Sequence, residues 1–324
     1  MVGINISGWA SYVPKQVLTN DELSKWVDTS DEWIAKRTGI SKRHISSGEN
    51  ASDMAIQVAQ QLLKKTGLLA DNIDLIIVST ITPDFLCPSV ACIVQDAIGA
   101  TTAAAFDINA ACTGYVYGFS TAHKFLQSGM YKNVMLIGAE ILSKYTDYSD
   151  RATCILFGDA AAGMLLQSDN KKRLYAESLR AKGGLAITTF KQEVFNPFSD
   201  NGKGDMREMD YIKVEGREVF DFAVKNVSEN ISSLLADNEL DVNDIDYIIP
   251  HQANRRIIEG IAKKLGADIN KFYINIENYG NTSSASIPLA FCEMADTKKI
   301  KSGSKIVLSG FGGGLTWGSV LLEL

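Results

Sequence analysis

The chain has 324 residues, 46% of them hydrophobic and 22% charged, with a formal net charge of −6 and a pI near 5.2. That length exceeds what one hydrophobic core usually serves, so two domains or two fused halves are expected. The acidic balance argues against a nucleic-acid partner, and no apolar run reaches the ~18 residues of a membrane-spanning helix.

The N-terminal stretch MVGINISGWASYVP has no basic segment followed by an apolar one, so no signal peptide is expected. TSDEWIAKRTGI (29–40) reads as a helix start, with Thr29 and Glu32 as a capping box. It places Trp33 and Arg37 four residues apart on one face. DNIDLIIVS (71–79) contains a continuous β-rich run that suits a strand buried on both faces. FDIN (106–109) ends a further strand, and from Thr113 the pattern YVYGFSTAHKFLQSG has helical spacing that stops at Gly129. VMLIGA, from Val134, is another buried strand. After AAAGMLLQ, the polar segment SDNKKRLYAES (168–178) divides the chain into an N-terminal half, 1–170, and a C-terminal half, 171–324. Gly183 to Lys213, rich in Gly, Asn and Asp, reads as a long surface loop. Three unusual stretches follow: PHQANRR (250–256) directly after the strand YII, NYGNTSSASIPLA (278–290), and SGFGGGLTWGS (309–319).

The halves repeat one another. DNIDLIIVS and NDIDYIIPH align at an offset of 172 residues, Asp74 on Asp246. The same offset brings Leu62 onto Leu234, Ile76 onto Ile248, and VMLIGA onto IVLSGF. A helix and two buried strands thus recur in the same order, which points to a layered α/β architecture.

Cys112 of DINAACTGY (107–115) sits where a strand turns into a helix. A helix N-terminus favours the thiolate, and the small neighbours permit a sharp turn. Taken alone, the stretch leaves a nucleophile and an inert core cysteine equally open. The five cysteines form no CxxC pair and are odd in number, so free thiols in a reducing cytosol are expected. The three histidines are too scattered for a metal site. However, His251 follows a strand end, Asn281 precedes a run of small residues opening a helix, and the glycines of GFGGG let backbone approach a ligand. One Cys, one His and one Asn at equivalent strand ends favour catalysis.

DINAACTGY, PHQANRRI, NYGNTSSASIP and GFGGGLTWG, in this order and spacing, resemble β-ketoacyl-ACP synthase III across essentially the whole chain. The resemblance implies a thiolase-like fold, two duplicated halves forming a five-layered αβαβα sandwich, and a cytoplasmic homodimer. It implies decarboxylative condensation of an acyl-CoA primer with malonyl-ACP, which initiates fatty-acid synthesis. CoA thioester and acyl carrier protein are substrates, with no cofactor and no metal. Cys112 takes the acyl nucleophile's place, with the N–H groups of Cys112 and Gly313 as oxyanion hole. His251 Nε2 and Asn281 Nδ2 match the donors to the enolate oxygen. Trp33, Arg37, Arg151, Phe157 and Asn254 match CoA-site positions. Arg256, Lys263 and Lys264, a basic cluster in an acidic chain, suit docking of an acidic carrier protein. Cys87 of LCPSVAC matches a segment that closes the partner's acyl pocket, and leaves primer length open.

Classical thiolases use a second cysteine near the C-terminus as base, and GFGGG supplies none. A papain-type hydrolase has no use for the glycine run or the duplication. A non-catalytic CoA- or carrier-binding scaffold has no need of all three polar residues. A related condensing enzyme or acyltransferase of secondary metabolism keeps the same Cys/His/Asn set.

Overall fold

A computed structural model of the chain describes residues 3–171, 174–189 and 211–324. Within it, alternate residues of one buried strand serve two different layers. In Leu75–Ser79, all of it buried, Leu75 and Ile77 face one core while Ile76 and Val78 face another.

That strand lies in a five-stranded sheet of order Gly3–Tyr12, Ala160–Asp169, Asn133–Glu140, Leu75–Ser79, Ala104–Ile108. A four-stranded sheet has the order Tyr247–Pro250, Lys305–Gly312, Thr316–Glu323, Tyr175–Ala181. The repeat extends to register: Leu75 pairs with Val134 in parallel, and Tyr247 pairs with Ile306 in parallel, each shifted by the same 172 residues.

Ala51–Thr66 and Val90–Ala97 cover the outer face of the first sheet through Met54, Val58, Leu62 and Val94. Gly216–Ala236 and Arg255–Leu265 cover the outer face of the second through Phe222, Ile231, Ile258 and Ile261. Gly114–Gln127 and Ser286–Asp296 lie between the sheets, with Phe119 and Phe291 packed among Ile77, Leu136, Leu308 and Val320. The result is the five-layered αβαβα sandwich that the sequence led us to expect. The middle layer must be apolar on both flanks, and a truncation such as Phe119→Ala there costs about 3–5 kcal/mol.

Two local readings need correction. The helix Asp31–Thr38 is capped by Ser30, whose hydroxyl accepts from Trp33 N at 3.2 Å, and not by a Thr29–Glu32 box. This start puts both Asp31 and Glu32 in the first turn, where the helix dipole favours them. Of the expected 183–213 loop, residues 190–210 lie outside the described residues, while Ile187–Thr188 and Lys213–Val214 pair as a short antiparallel ribbon.

Candidate active site

Two tight turns, one from each half, meet at the carboxyl ends of the parallel strands. Ala111–Thr113 leads into Gly114–Gln127, and Ser283–Ala285 leads into Ser286–Asp296. Ala111 has φ +47° and Ser283 φ +48°, at positions again 172 apart. Both are non-glycine residues in the left-handed region, a conformation that the surrounding packing must hold.

The end of the strand Lys305–Gly312 passes directly over the cysteine. A Cβ on Gly312 would lie 2.6 Å from the Cys112 nitrogen, so that approach requires glycine. Thr316 pins the arrangement, donating from Oγ1 to Ala110 O at 3.0 Å.

Cys112, His251, Asn281, Phe157, Asn254 and Gly313 all line one cavity of about 140 Å3. His251 is 1% exposed, its backbone N–H donating to Ser309 O at 2.8 Å and its ring Nδ1 lying 2.7 Å from Ser286 Oγ. Asn281 Oδ1 accepts from Ser283 N at 2.9 Å, and no described residue accepts from Nδ2. The amide is thereby oriented with a donor to spare. Its backbone is tied to Leu156 O and Gly158 N, at 2.8 and 3.0 Å, which also seats Phe157.

Electrostatics modify one expectation. Burial pushes the Cys112 thiol up to about 12, with the Glu140 carboxyl adding to the rise and the Ser283 hydroxyl opposing it. Burial holds His251 down to about 3. The helix end is worth roughly 0.3–1 kcal/mol, under one pKa unit, so it cannot offset that burial. The resting pair is a neutral thiol and a neutral imidazole, not the thiolate that the helix N-terminus alone suggested.

Beneath the turns lies Glu140, fully buried, whose importance sequence reading missed. It accepts from Thr82 Oγ1 at 2.9 Å and Ile81 N at 3.1 Å, and lies 2.8 Å from Ser284 Oγ. Burial raises it to about 7, against the pull of those donors. No periodicity marks such a residue, because its partners come from two segments far apart in the chain, 80–82 and 283–284.

A path of contacts leads outward from the cavity. Asn254 caps the helix Arg255–Leu265 and donates from Nδ2 to Arg37 O at 3.2 Å. The Arg37 and Arg151 guanidinium carbons lie 4.2 and 4.9 Å from the Trp33 ring centre. Trp33, Arg37, Arg151, Asn254 and Phe157 thus connect surface to cavity. Arg256 and Arg217 line a shallow surface depression beside Asn254; Arg217 is a second cation there that no motif signalled. Lys263 is on the same helix as Arg256, whereas Lys264 reaches Glu229 at 3.4 Å. Cys87 is exposed, next to Leu86 at 83%, and is not among the residues lining the cavity within its own chain.

A duplicated sandwich, with a cysteine in one turn, an asparagine beside the matching turn and a histidine at a strand end, defines a thiolase-fold condensing enzyme. The family described as 3-oxoacyl-[acyl-carrier-protein (ACP)] synthase III matches residues 106–183, and its C-terminal part matches residues 235–324. The β-ketoacyl-[acyl-carrier-protein] synthase III of Streptococcus mutans is 48% identical over 328 residues, covering all of both chains. That of Clostridium acetobutylicum is also 48% identical, covering 100% of this chain and 99% of the relative. The crystal structure of 3-oxoacyl-[acyl-carrier-protein] synthase III from Aquifex aeolicus superposes with a TM-score of 0.91 at 42% identity, covering 99% of this chain and 100% of that one. The chain belongs to the β-ketoacyl-ACP synthase III family, the condensing acyltransferases that initiate fatty-acid synthesis.

Proposed function

We propose that this chain joins an acyl primer from acyl-CoA to malonyl-ACP, with Cys112 carrying the acyl group between two half-reactions. A thioester keeps the acyl group reactive, which a serine ester does less well. The N–H groups of Cys112 and Gly313 take the tetrahedral oxyanion, and the close passage of the glycine run over the cysteine turn supports that pairing. In the second half-reaction, loss of carbon dioxide generates the carbanion, so the enolate oxygen needs donors and no strong base. Asn281 Nδ2 and His251 Nε2 fill that role.

The observation that carries this reading is the convergence of Cys112, His251 and Asn281 on one cavity, with the asparagine amide already oriented by Ser283 N. CoA approaches along Trp33, Arg37, Arg151 and Asn254, and Phe157 lines the pocket near the sulfur. The acidic carrier protein docks over Arg256, Lys263 and Lys264. Exposed Phe85, Leu86 and Cys87 meet a second copy in a homodimer, where Cys87 helps bound the partner's acyl pocket and primer length. The enzyme works in the cytoplasm and needs no cofactor. Among the described residues, no helix is long and apolar enough to cross a membrane.

The test is a pair of half-reaction assays on Asn281→Ala. Labelled acetyl transfer to Cys112 should persist, while labelled carbon dioxide release from malonyl-ACP falls ~10²–10³-fold. Decarboxylation at the wild-type rate would reduce Asn281 to a turn residue.

A further inference from the structure

The helix that follows the Asn281 turn begins with a serine whose hydroxyl has more neighbours than hydrogens. Ser286 Oγ lies 2.7 Å from His251 Nδ1, 2.8 Å from Ser283 O and 3.3 Å from Gln252 N. Ser286 is 1% exposed, so water does not compete for it. A hydroxyl has one hydrogen and two lone pairs. The Gln252 N–H can only donate to it, and the Ser283 carbonyl can only accept from it. With its single hydrogen spent on Ser283 O, the oxygen must accept from Nδ1. A neutral His251 then carries its hydrogen on Nδ1 and presents a lone pair at Nε2.

We propose that Ser286 is a positioning residue that fixes the Nδ1–H tautomer of His251, so that Nε2 is a base toward the Cys112 thiol first and a donor toward the enolate only after it has taken up a proton. The inference rests on the proposed roles of Cys112 and His251 and adds an order to them.

The protons balance. In acyl transfer the Cys112 S–H proton passes to Nε2 as sulfur attacks the thioester carbon. The CoA thiolate takes that proton from Nε2 as it leaves, and the entering malonyl carboxylate draws a proton from water back onto Nε2. When the malonyl carboxylate enters and loses carbon dioxide, Nε2–H donates to the enolate oxygen. The carbanion attacks the acyl carbon, the cysteine thiolate is expelled, and Nε2 returns the proton to sulfur. Because burial holds the free imidazole down to about 3, a proton rests on Nε2 only beside a negative charge. The thiolate supplies that charge first, then the malonyl group and its enolate.

The duplication indicates that the pair is specialised. The positions 172 residues before His251 and Ser286 are Ser79 and Gly114. There a Cβ on Gly114 would lie 2.1 Å from Ser79 Oγ, so the first half has no room for a hydroxyl-bearing side chain at the matching helix start. The turn folds without one; only the half holding the histidine has it.

Nitrogen-15 NMR of histidine-labelled wild-type protein reads the tautomer directly, with the His251 signal assigned by its loss in His251→Gln. The expected spectrum has a protonated Nδ1 and an unprotonated Nε2; the reverse pattern overturns the proposal. Ser286→Ala should release the tautomer and slow acetyl transfer to Cys112 about tenfold, part of the ~10²–10⁴-fold that a positioned base contributes. It should spare carbon dioxide release from malonyl-ACP, and Ser286→Thr should restore acetyl transfer. Equal loss of both half-reactions, or an unchanged tautomer with unchanged acetyl transfer, also overturns it. If wild type fails to acetylate at Cys112, the catalytic reading itself falls, and the tautomer measurement still stands alone.

Discussion

Replacing Glu140 with glutamine should stabilise the protein at alkaline pH and leave it nearly unchanged at acidic pH. Ser284 Oγ is 2.9 Å from Ser79 O and 2.8 Å from a Glu140 oxygen, with one hydrogen to serve both. If that hydrogen goes to Ser79 O, a protonated Glu140 donates to Ser284, and every group is satisfied. Burial accordingly raises Glu140 from the ordinary 4.5 to about 7. The unfolded chain therefore loses this proton first, and between about 4.5 and 7 it binds fewer protons than the native state. Stability from this group is full below 4.5, declines as pH rises towards 7, and stays low above. That displacement corresponds to on the order of 3 kcal/mol at high pH. Glutamine mimics the protonated acid, its amide donating toward Ser284 and its carbonyl accepting from Thr82 and Ile81. Denaturant unfolding of both proteins at pH 5 and pH 8 is the assay. Glu140→Gln should gain a few kcal/mol over wild type at pH 8 and little at pH 5. Because the Glu140 charge also raises the Cys112 thiol, alkylation of Cys112 should reach half-maximal rate at lower pH in the variant. A variant that loses stability equally at both pH values would show that Glu140 is ionised in the native state, and would refute the reasoning.

Trp33→Ala should raise the KM for acyl-CoA, because it removes the ring that Arg37 and Arg151 lie against, and should leave carbon dioxide release from malonyl-ACP nearly unchanged; steady-state kinetics with each substrate varied separates the two. Arg256→Glu combined with Lys263→Glu should raise the KM for malonyl-ACP without slowing acetyl transfer from acetyl-CoA, and added salt should weaken the wild-type reaction through the same surface. Gly312→Ala should depress both half-reactions, because the new methyl would sit 2.6 Å from the Cys112 nitrogen and displace the cysteine turn; thermal unfolding and acetyl transfer measured together show whether activity falls further than stability.

Where the sequence repeats, it revealed a layered α/β architecture in advance, and the family resemblance supplied the five-layer order. Buried strands such as Leu75–Ser79 must be apolar on both faces, and their copies at an offset of 172 keep the same register. Cys112 and Asn281 were legible because each stands at a turn among small residues that opens a helix, and His251 because it directly follows a buried strand, patterns that packing alone does not require. The groups around them were not. Ser286 and Ser284 look like helix-opening serines, and Glu140 looks like an ordinary strand-end acid. Their meaning arises only when the two turns pack together and their hydroxyl hydrogens must be shared. The thiol pKa was misread for the same reason: helix position is a local feature, whereas burial is set by the whole sandwich. At Ser30 the competing cap was one residue away, and spacing alone did not choose between them.

The central claim is that one cysteine of five carries the acyl group, and mass spectrometry of the intact and digested protein after mixing with acetyl-CoA tests it most directly. Wild type should gain a single acetyl adduct on the peptide containing Cys112, and a folded Cys112→Ser variant should gain none; an adduct on Cys87, Cys92, Cys154 or Cys292 instead, or one that survives in the variant, would contradict the account.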